Sequence, residues 1–166
     1  MKFLIRDAET RRMGISQTPV VIPNLSRESQ NLPISSVVLS SELVPAEAPS
    51  AIDPLMIEGR KLIPSVTREF SKRRDLIVFL QAYEPNATVT EPLTAFVTFY
   101  RGQTKVLETA PLTVQDDLGR PLRTLPVTLR VPLTSLPVGV YDCQVTVLNS
   151  ATQKSAVWRS SINVVN

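Results

Sequence analysis

Three segments of this sequence alternate between apolar and polar positions with a period of two, and no other feature restricts the fold as much. The alternation runs through Leu93–Tyr100, Leu125–Val131 and Tyr141–Val147. Successive side chains of a β-strand point to opposite faces, so each segment predicts a strand with one face in a core. About 7–8 such strands at roughly ten-residue spacing, without a sustained helical period, predict an all-β, antiparallel β-sandwich.

The segment Leu76–Tyr83 differs because it is apolar on both faces apart from Gln81. This pattern predicts a central strand that is covered on both sides or packed under a loop. Further strands are expected at Val37–Ser41, Lys105–Val114 and Ala156–Val165, with a weaker candidate at Lys61–Thr67.

Two segments do not read as regular strands. Val66–Arg74 is the only stretch expected to hold about one turn of helix. Glu42–Glu58 contains Pro45, Pro49 and Pro54, and proline cannot donate a hydrogen bond to a strand ladder. We therefore expect Glu42–Glu58 to cross a sheet edge in an extended conformation.

The chain also contains a weak internal repeat. Residues 3–24 match residues 145–166 position for position, with Phe3 and Ile5 at the places of Val145 and Val147. Both copies read as strand, polar turn and strand, so we expect residues 1–25 to form a hairpin resembling the last two strands of a preceding module and residues 26–166 to form a complete sandwich.

A lone hairpin is only marginally stable in water. Its apolar residues, which include Val20 and Ile22, are therefore expected either to pack on the sandwich of the same chain or to pair with the hairpin of a second chain. The homodimer is the favoured expectation, since the strip is self-complementary and Pro23–Leu32 is long enough to act as a linker.

The residue types present exclude several kinds of site. The chain has no histidine and one cysteine, which removes serine–histidine and cysteine–histidine nucleophiles, the common zinc sites and an intrachain disulfide. The adjacent acidic pair Asp116–Asp117 lies in a predicted turn, where neighbouring side chains diverge. We expect no catalytic residue, no metal ligand and no cofactor.

Charge and hydropathy restrict the partners. The net charge of +3 comes largely from basic residues at 60–74 with few aromatic residues between them, which indicates a solvated face rather than a nucleic-acid surface. No apolar stretch reaches the roughly 18 residues that a membrane span needs. The apolar start at Phe3–Ile5 ends at Arg6 and does not form a signal peptide.

The segment Leu136–Cys143 carries the clearest local motif. Tyr141, two residues before the inward Cys143, resembles the tyrosine corner of immunoglobulin-like domains, in which the hydroxyl holds the preceding loop. Cys143 is expected to be a buried, unreactive thiol, and Trp158 is in phase with Ile162 and belongs in the core.

Two aromatic residues suggest a ligand face. Phe96 and Tyr100 lie on the same face of one predicted strand and are the only in-phase pair available for stacking on a sugar. They support the alternative of a carbohydrate-binding module, which requires both rings to be exposed.

Several longer motifs resemble one family. They are Asp53–Leu55, Gly59–Lys61, Pro64–Phe70, Leu76–Pro85, Phe99–Gly102 and Leu136–Val147. Together they are similar to the immunoglobulin-like region downstream of the von Willebrand factor A-related domain in large secreted acidobacterial proteins; the adhesion domain itself is absent from this sequence. The resemblance implies an immunoglobulin- or fibronectin-III-like sandwich outside the cytoplasm that acts as a non-enzymatic interaction module or structural spacer, contacting a protein partner or a neighbouring domain.

Overall fold

The structure is a computed structural model that describes residues 2–19, 30–46, 53–84, 91–115 and 124–166. Within these residues the chain is all-β. The strands are β1 (Lys2–Arg6), β2 (Met13–Gln17), β3 (Val38–Ser40), β4 (Leu43–Pro45), β5 (Met56–Ile57), β6 (Arg60–Leu62), β7 (Glu69–Ser71), β8 (Asp75–Tyr83), β9 (Leu93–Arg101), β10 (Thr104–Glu108), β11 (Leu112–Val114), β12 (Thr124–Pro132), β13 (Gly139–Asn149) and β14 (Lys154–Val165).

Two sheets share the main core in a sandwich-like arrangement. A three-stranded sheet has the order β12-β8-β3, and a larger sheet has the order β10-β9-β13-β14-β7. One continuous cluster of buried side chains draws on both sheets, including Val78 of β8, Val127 of β12, Val97 of β9 and Val145 of β13. The alternating segments therefore bury the faces that their periodicity predicts.

The predicted core residues lie on the inward faces. Tyr141, Cys143, Val97 and Leu129 are buried. Trp158 is half-buried and packs against the same core beside Val145, its partner across the ladder. Trp158 therefore lies at the margin of the core rather than at its centre.

A second, smaller core lies on the opposite face of β8. A three-stranded sheet of order β4-β6-β5 covers this face, and Leu62 and Ile57 pack there against Ile77 and Phe79. The prediction that β8 is covered on both sides is therefore confirmed.

The expectation of an extended crossing over residues 42–58 is wrong for the residues described. Its two ends form β4 and β5, which pair with β6 and cover a sheet face, not a sheet edge. Proline is tolerated at the end of an edge strand, and Pro45 is the last residue of β4. Pro49 lies outside the described residues.

Strand β7 corrects two further expectations. It occupies Glu69–Ser71, inside the segment expected to hold a helical turn, and it pairs with β14 in parallel. The sheets are thus antiparallel except at this pair. Phe70 explains the strand, because its fully buried side chain anchors the segment in the main core.

Two predicted strand boundaries also differ. The weaker strand at Lys61–Thr67 is shorter and lies at β6, ending at Leu62. The strand at Lys105–Val114 is divided into β10 and β11, which pair with successive parts of β9. Thr109 bridges them by donating its N–H to the Val97 carbonyl at 2.9 Å.

The N-terminal hairpin is present as a separate two-stranded sheet. β1 pairs with β2 from Lys2 opposite Gln17 to Arg6 opposite Met13, and every residue of both strands is exposed. Val20, Ile22 and the expected domain boundary lie outside the described residues, as does the Asp116–Asp117 turn. The described part of the sandwich begins to pack at Leu32, whose N–H donates to the Ser155 carbonyl at 3.0 Å.

Candidate functional site

The motif around Tyr141 forms a tyrosine corner. The Tyr141 hydroxyl donates to the Pro137 carbonyl at 2.6 Å and accepts from the Arg101 guanidinium at 2.9 Å. Gly139 has φ of +144°, and a Cβ atom there would lie 2.7 Å from the same guanidinium. The positive φ favours glycine at this position, and a side chain there would displace the Arg101 guanidinium from its place beside the tyrosine. The motif holds the loop before β13 in place.

The single cysteine is not placed for chemistry. Cys143 is fully buried between the two sheets, and burial raises the pKa of its thiol to about 12. A reactive cysteine needs a lowered pKa and solvent access, so this side chain is a core residue.

The open face of the larger sheet is the principal candidate surface. We call it the outer face and define it by outward side chains of four neighbouring strands: Lys105 and Glu108 of β10, Phe96, Thr98 and Tyr100 of β9, Asp142, Gln144 and Thr146 of β13, and Val157, Arg159 and Ser161 of β14. The strand registers place these residues in rows that run across the sheet.

Charged groups on the outer face are paired with one another. Arg159 donates to Asp142 at 3.0 Å, and its guanidinium lies 5.1 Å from the centre of the Tyr100 ring. Toward the β10 edge of the same face, Glu108 accepts from Thr98 at 3.0 Å and from Lys105 at 3.3 Å. These contacts fix the side chains in a defined polar pattern.

The two predicted ligand residues, Phe96 and Tyr100, both lie on this face and are half-buried. Thr98 stands between them, so their Cα atoms are separated by about 13 Å along the strand. One ring face of Tyr100 is covered by Arg159. The two rings therefore do not form one continuous stacking surface.

A half-buried acid, Glu84, follows the end of β8 at Tyr83. The Asn149 side-chain amide donates to one carboxylate oxygen of Glu84, and the other oxygen has no hydrogen-bond partner among the described residues. Burial raises the pKa of Glu84. The sequence offered no signal for this contact, because Asn149 reads as an ordinary turn residue.

A groove with three arginines lies between the β4-β6-β5 sheet, which we call the small sheet, and the β12-β8-β3 sheet. Its volume is about 420 Å³, and its lining includes Arg60, Arg74 and Arg130. Arg60 donates to the Leu43 carbonyl, and Arg130 pairs with Glu58 at 3.5 Å. Acidic residues lie in the same groove, which therefore has a mixed charge rather than a strongly positive one. Sequence reasoning missed it because the residues come from four separate segments.

The basic residues at 60–74, predicted to form one solvated face, do not form a single surface. Lys61 forms an ion pair with Asp53 at 2.9 Å on the small sheet, whereas Arg68 donates to Ser160 at the edge of the larger sheet. The basic residues thus contact different parts of the fold.

In the part of the chain that the structure describes, there is no group of three or more acidic, histidine or cysteine side chains that could hold a metal ion. Over the same residues, no helix has the length and apolar character needed to cross a bilayer. In comparisons with known proteins, no protein-family model matches the chain, and no curated protein sequence matches it significantly.

Proposed function

We propose that this chain is a non-enzymatic, immunoglobulin/fibronectin-III-like module that works outside the cytoplasm by contact with a protein partner or a neighbouring domain. The fold type is supported by strand neighbours. β8 pairs with β12, β9 with β13 and β13 with β14, as strands B and E, C and F, and F and G do in immunoglobulin-type sandwiches. The tyrosine corner at Tyr141 supports the same assignment.

The functional proposal rests on a difference between the two sheets: the face directed away from the main core is covered in one sheet and open in the other. The small sheet covers the outside of β8, where Leu62 and Phe79 are buried. Within the described residues the outer face of the larger sheet has no such cover. It is therefore the face through which the sandwich would contact another protein.

The residue types on the outer face suit a protein contact. Tyrosine and arginine dominate binding energy in many interfaces, and Tyr100 and Arg159 lie in contact with each other on this face. Val157 adds an exposed apolar side chain, with 60% of its surface accessible. A rim of paired charges around a few such residues is typical of specific but not obligate interfaces.

The residues available support a binding role over catalysis. The chain has no histidine, its cysteine is buried, and Asp142 is held by Arg159 and Ser161. The carbohydrate-binding alternative remains a prediction about the same face, but Arg159 occupies the Tyr100 ring face on which a sugar would stack.

Site-specific photocrosslinking tests the proposal. A photoreactive phenylalanine analogue is placed at Val157 on the outer face or, as a control, at Val66, which is 93% exposed between β6 and β7. In the cells that make the protein, we expect a discrete protein adduct from position 157 that is lost with Tyr100→Ala and is absent from position 66.

Two results would count against the proposal. An adduct of equal yield from both positions would mean that the outer face is not a specific contact surface. Glycan-array binding that is lost with Tyr100→Ala, without any protein adduct, would instead establish the carbohydrate-binding alternative.

A further inference from the structure

The N-terminal hairpin has the same strand register as the last hairpin of the sandwich. In β1–β2, Lys2 lies opposite Gln17 and Ile5 lies opposite Gly14. At the equivalent places in β13–β14, Gln144 lies opposite Arg159 and Val147 lies opposite Ala156. The repeat seen in the sequence is therefore also a repeat of backbone pairing.

The two turns repeat in detail as well. The Asp7 carboxylate accepts from the Thr10 N–H at 3.2 Å, and the Asn149 side-chain oxygen accepts from the Thr152 N–H at 3.0 Å. Each turn then has a residue in the left-handed region at the same place: Arg11 has φ of 57° and Gln153 has φ of 55°. Few non-glycine residues adopt this conformation, so the match is specific.

The surroundings of the two hairpins differ. In β13, the side chains of Val145 and Val147 are 1% and 0% exposed, because the opposite sheet covers them. At the same places in β1, Phe3 is 50% exposed and Ile5 is 70% exposed. The edge of β13 that faces away from β14 is paired with β9, whereas β1 pairs only with β2 among the described residues.

We infer that the β1–β2 hairpin completes a second β-sandwich whose remaining strands are its binding partner. The partner supplies one strand that pairs antiparallel with the edge of β1 facing away from β2 and a facing sheet that covers Phe3 and Ile5. By analogy with β9, the strand carries apolar side chains opposite Phe3 and Ile5. Opposite Lys2 and Arg6 it carries acidic or hydroxyl side chains, since opposite charges across a ladder are favourable and like charges are not.

Charge argues against a second copy of the hairpin as this partner. If two β1 strands pair antiparallel about Leu4, each Lys2 lies opposite the Arg6 of the other copy. Two like-charged pairs would oppose that homodimer. The homodimer favoured from the sequence is therefore an outcome that the experiments below distinguish.

Grafting the hairpin into the sandwich tests the inference in the full chain. In one chimera, the sequence of residues 2–17 replaces residues 144–159; in the control, the sequence of residues 3–18 replaces the same positions. Position 158 is the one exception to the replacement: both chimeras retain tryptophan there, so that neither carries a large-to-small change at Trp158. The first chimera places Phe3 and Ile5 inward at the positions of Val145 and Val147, whereas the control places Arg6 at the fully buried position of Val147.

We expect the in-register chimera to unfold cooperatively in urea, at a lower midpoint than the wild type, and the shifted control to lack a cooperative transition. An in-register chimera that is no better folded than the control would overturn the inference. Two equally well folded chimeras would also overturn it, because the hairpin would then carry no register-specific information.

Light scattering on the wild-type chain tests the competing occupant. The inference expects a monomer across the accessible concentration range in the absence of a partner. A dimer that disappears when the chain is shortened to residues 30–166 would show that a second copy occupies the hairpin and would overturn it.

Discussion

Tyr141 links three separate parts of the fold through one side chain. Its hydroxyl bonds the Pro137 carbonyl and the Arg101 guanidinium, and its ring lies in the main core with 2% of its surface exposed. The loop before β13, the end of β9 and the core are thereby fixed relative to one another.

Replacing Tyr141 with phenylalanine keeps the ring and removes both hydrogen bonds. We expect the free energy of unfolding to fall by about 1–3 kcal/mol, since a part-buried carbonyl loses its donor. Urea denaturation measures the change. Tyr100→Phe is the matched control, because Tyr100 contributes its ring rather than its hydroxyl to the contact with Arg159. Equal losses in both variants would mean that the corner adds no stability.

Residue patterns in the sequence predicted the tyrosine corner but not the contacts between side chains that are distant in sequence, either at the corner or elsewhere. The spacing from Leu136 to Cys143 identified Tyr141 because the motif is local. Arg101 comes from a strand that ends 40 residues earlier, and Glu84 meets Asn149 across 65 residues. Periodicity says which face a side chain takes and gives no information on which distant group lies there.

At the scale of elements, β8 is the strand on which both cores depend. Val78 and Leu80 point into the main core, and Ile77 and Phe79 point into the smaller core. Leu62 is the fully buried residue by which the small sheet contacts β8.

We expect Leu62→Ala to reduce the free energy of unfolding by about 2–5 kcal/mol, the usual cost of truncating a buried leucine. Its neighbour Ile63 is 37% exposed, so Ile63→Ala serves as a control with a loss of about 1 kcal/mol. Thermal unfolding followed by circular dichroism measures both. A negligible effect of Leu62→Ala would mean that the small sheet is only loosely attached to β8.

Long elements were predictable and short ones were not. β9, β12 and β13 each repeat the period of two often enough to be recognised, and β8 is recognised by its continuous apolar run. β4, β5 and β7 have at most three residues each, so their pairing depends on tertiary contacts rather than on local pattern. Phe70 shows this, because burial of one side chain outweighs the turn-like residues around β7.

At the scale of the whole molecule, the described residues form a sandwich-like unit and a hairpin whose strand register matches that of the unit's last two strands. The sequence repeat predicted this arrangement because both copies keep the positions of their turn residues. Alternation and the repeat could not show what surrounds the hairpin, since Phe3 and Val145 are both apolar and only the fold reveals that one is exposed and the other buried.

Deleting the hairpin therefore tests how the two parts are connected energetically. All residues of β1 and β2 are exposed, and the hairpin's main ladder is internal to it. Stability is set by buried contacts, so we expect a chain shortened to residues 30–166 to unfold at the same urea midpoint and with the same slope as the full chain. Starting at residue 30 keeps Leu32, which is buried in the sandwich.

Tryptophan fluorescence follows this transition directly, because the single tryptophan, Trp158, reports on the sandwich alone. A lower midpoint in the shortened chain would mean that the hairpin packs on its own sandwich and stabilises it. An unchanged midpoint leaves the apolar side chains of Phe3 and Ile5 free for a separate β-sandwich, and the hairpin then contributes to stability only when that partner covers it.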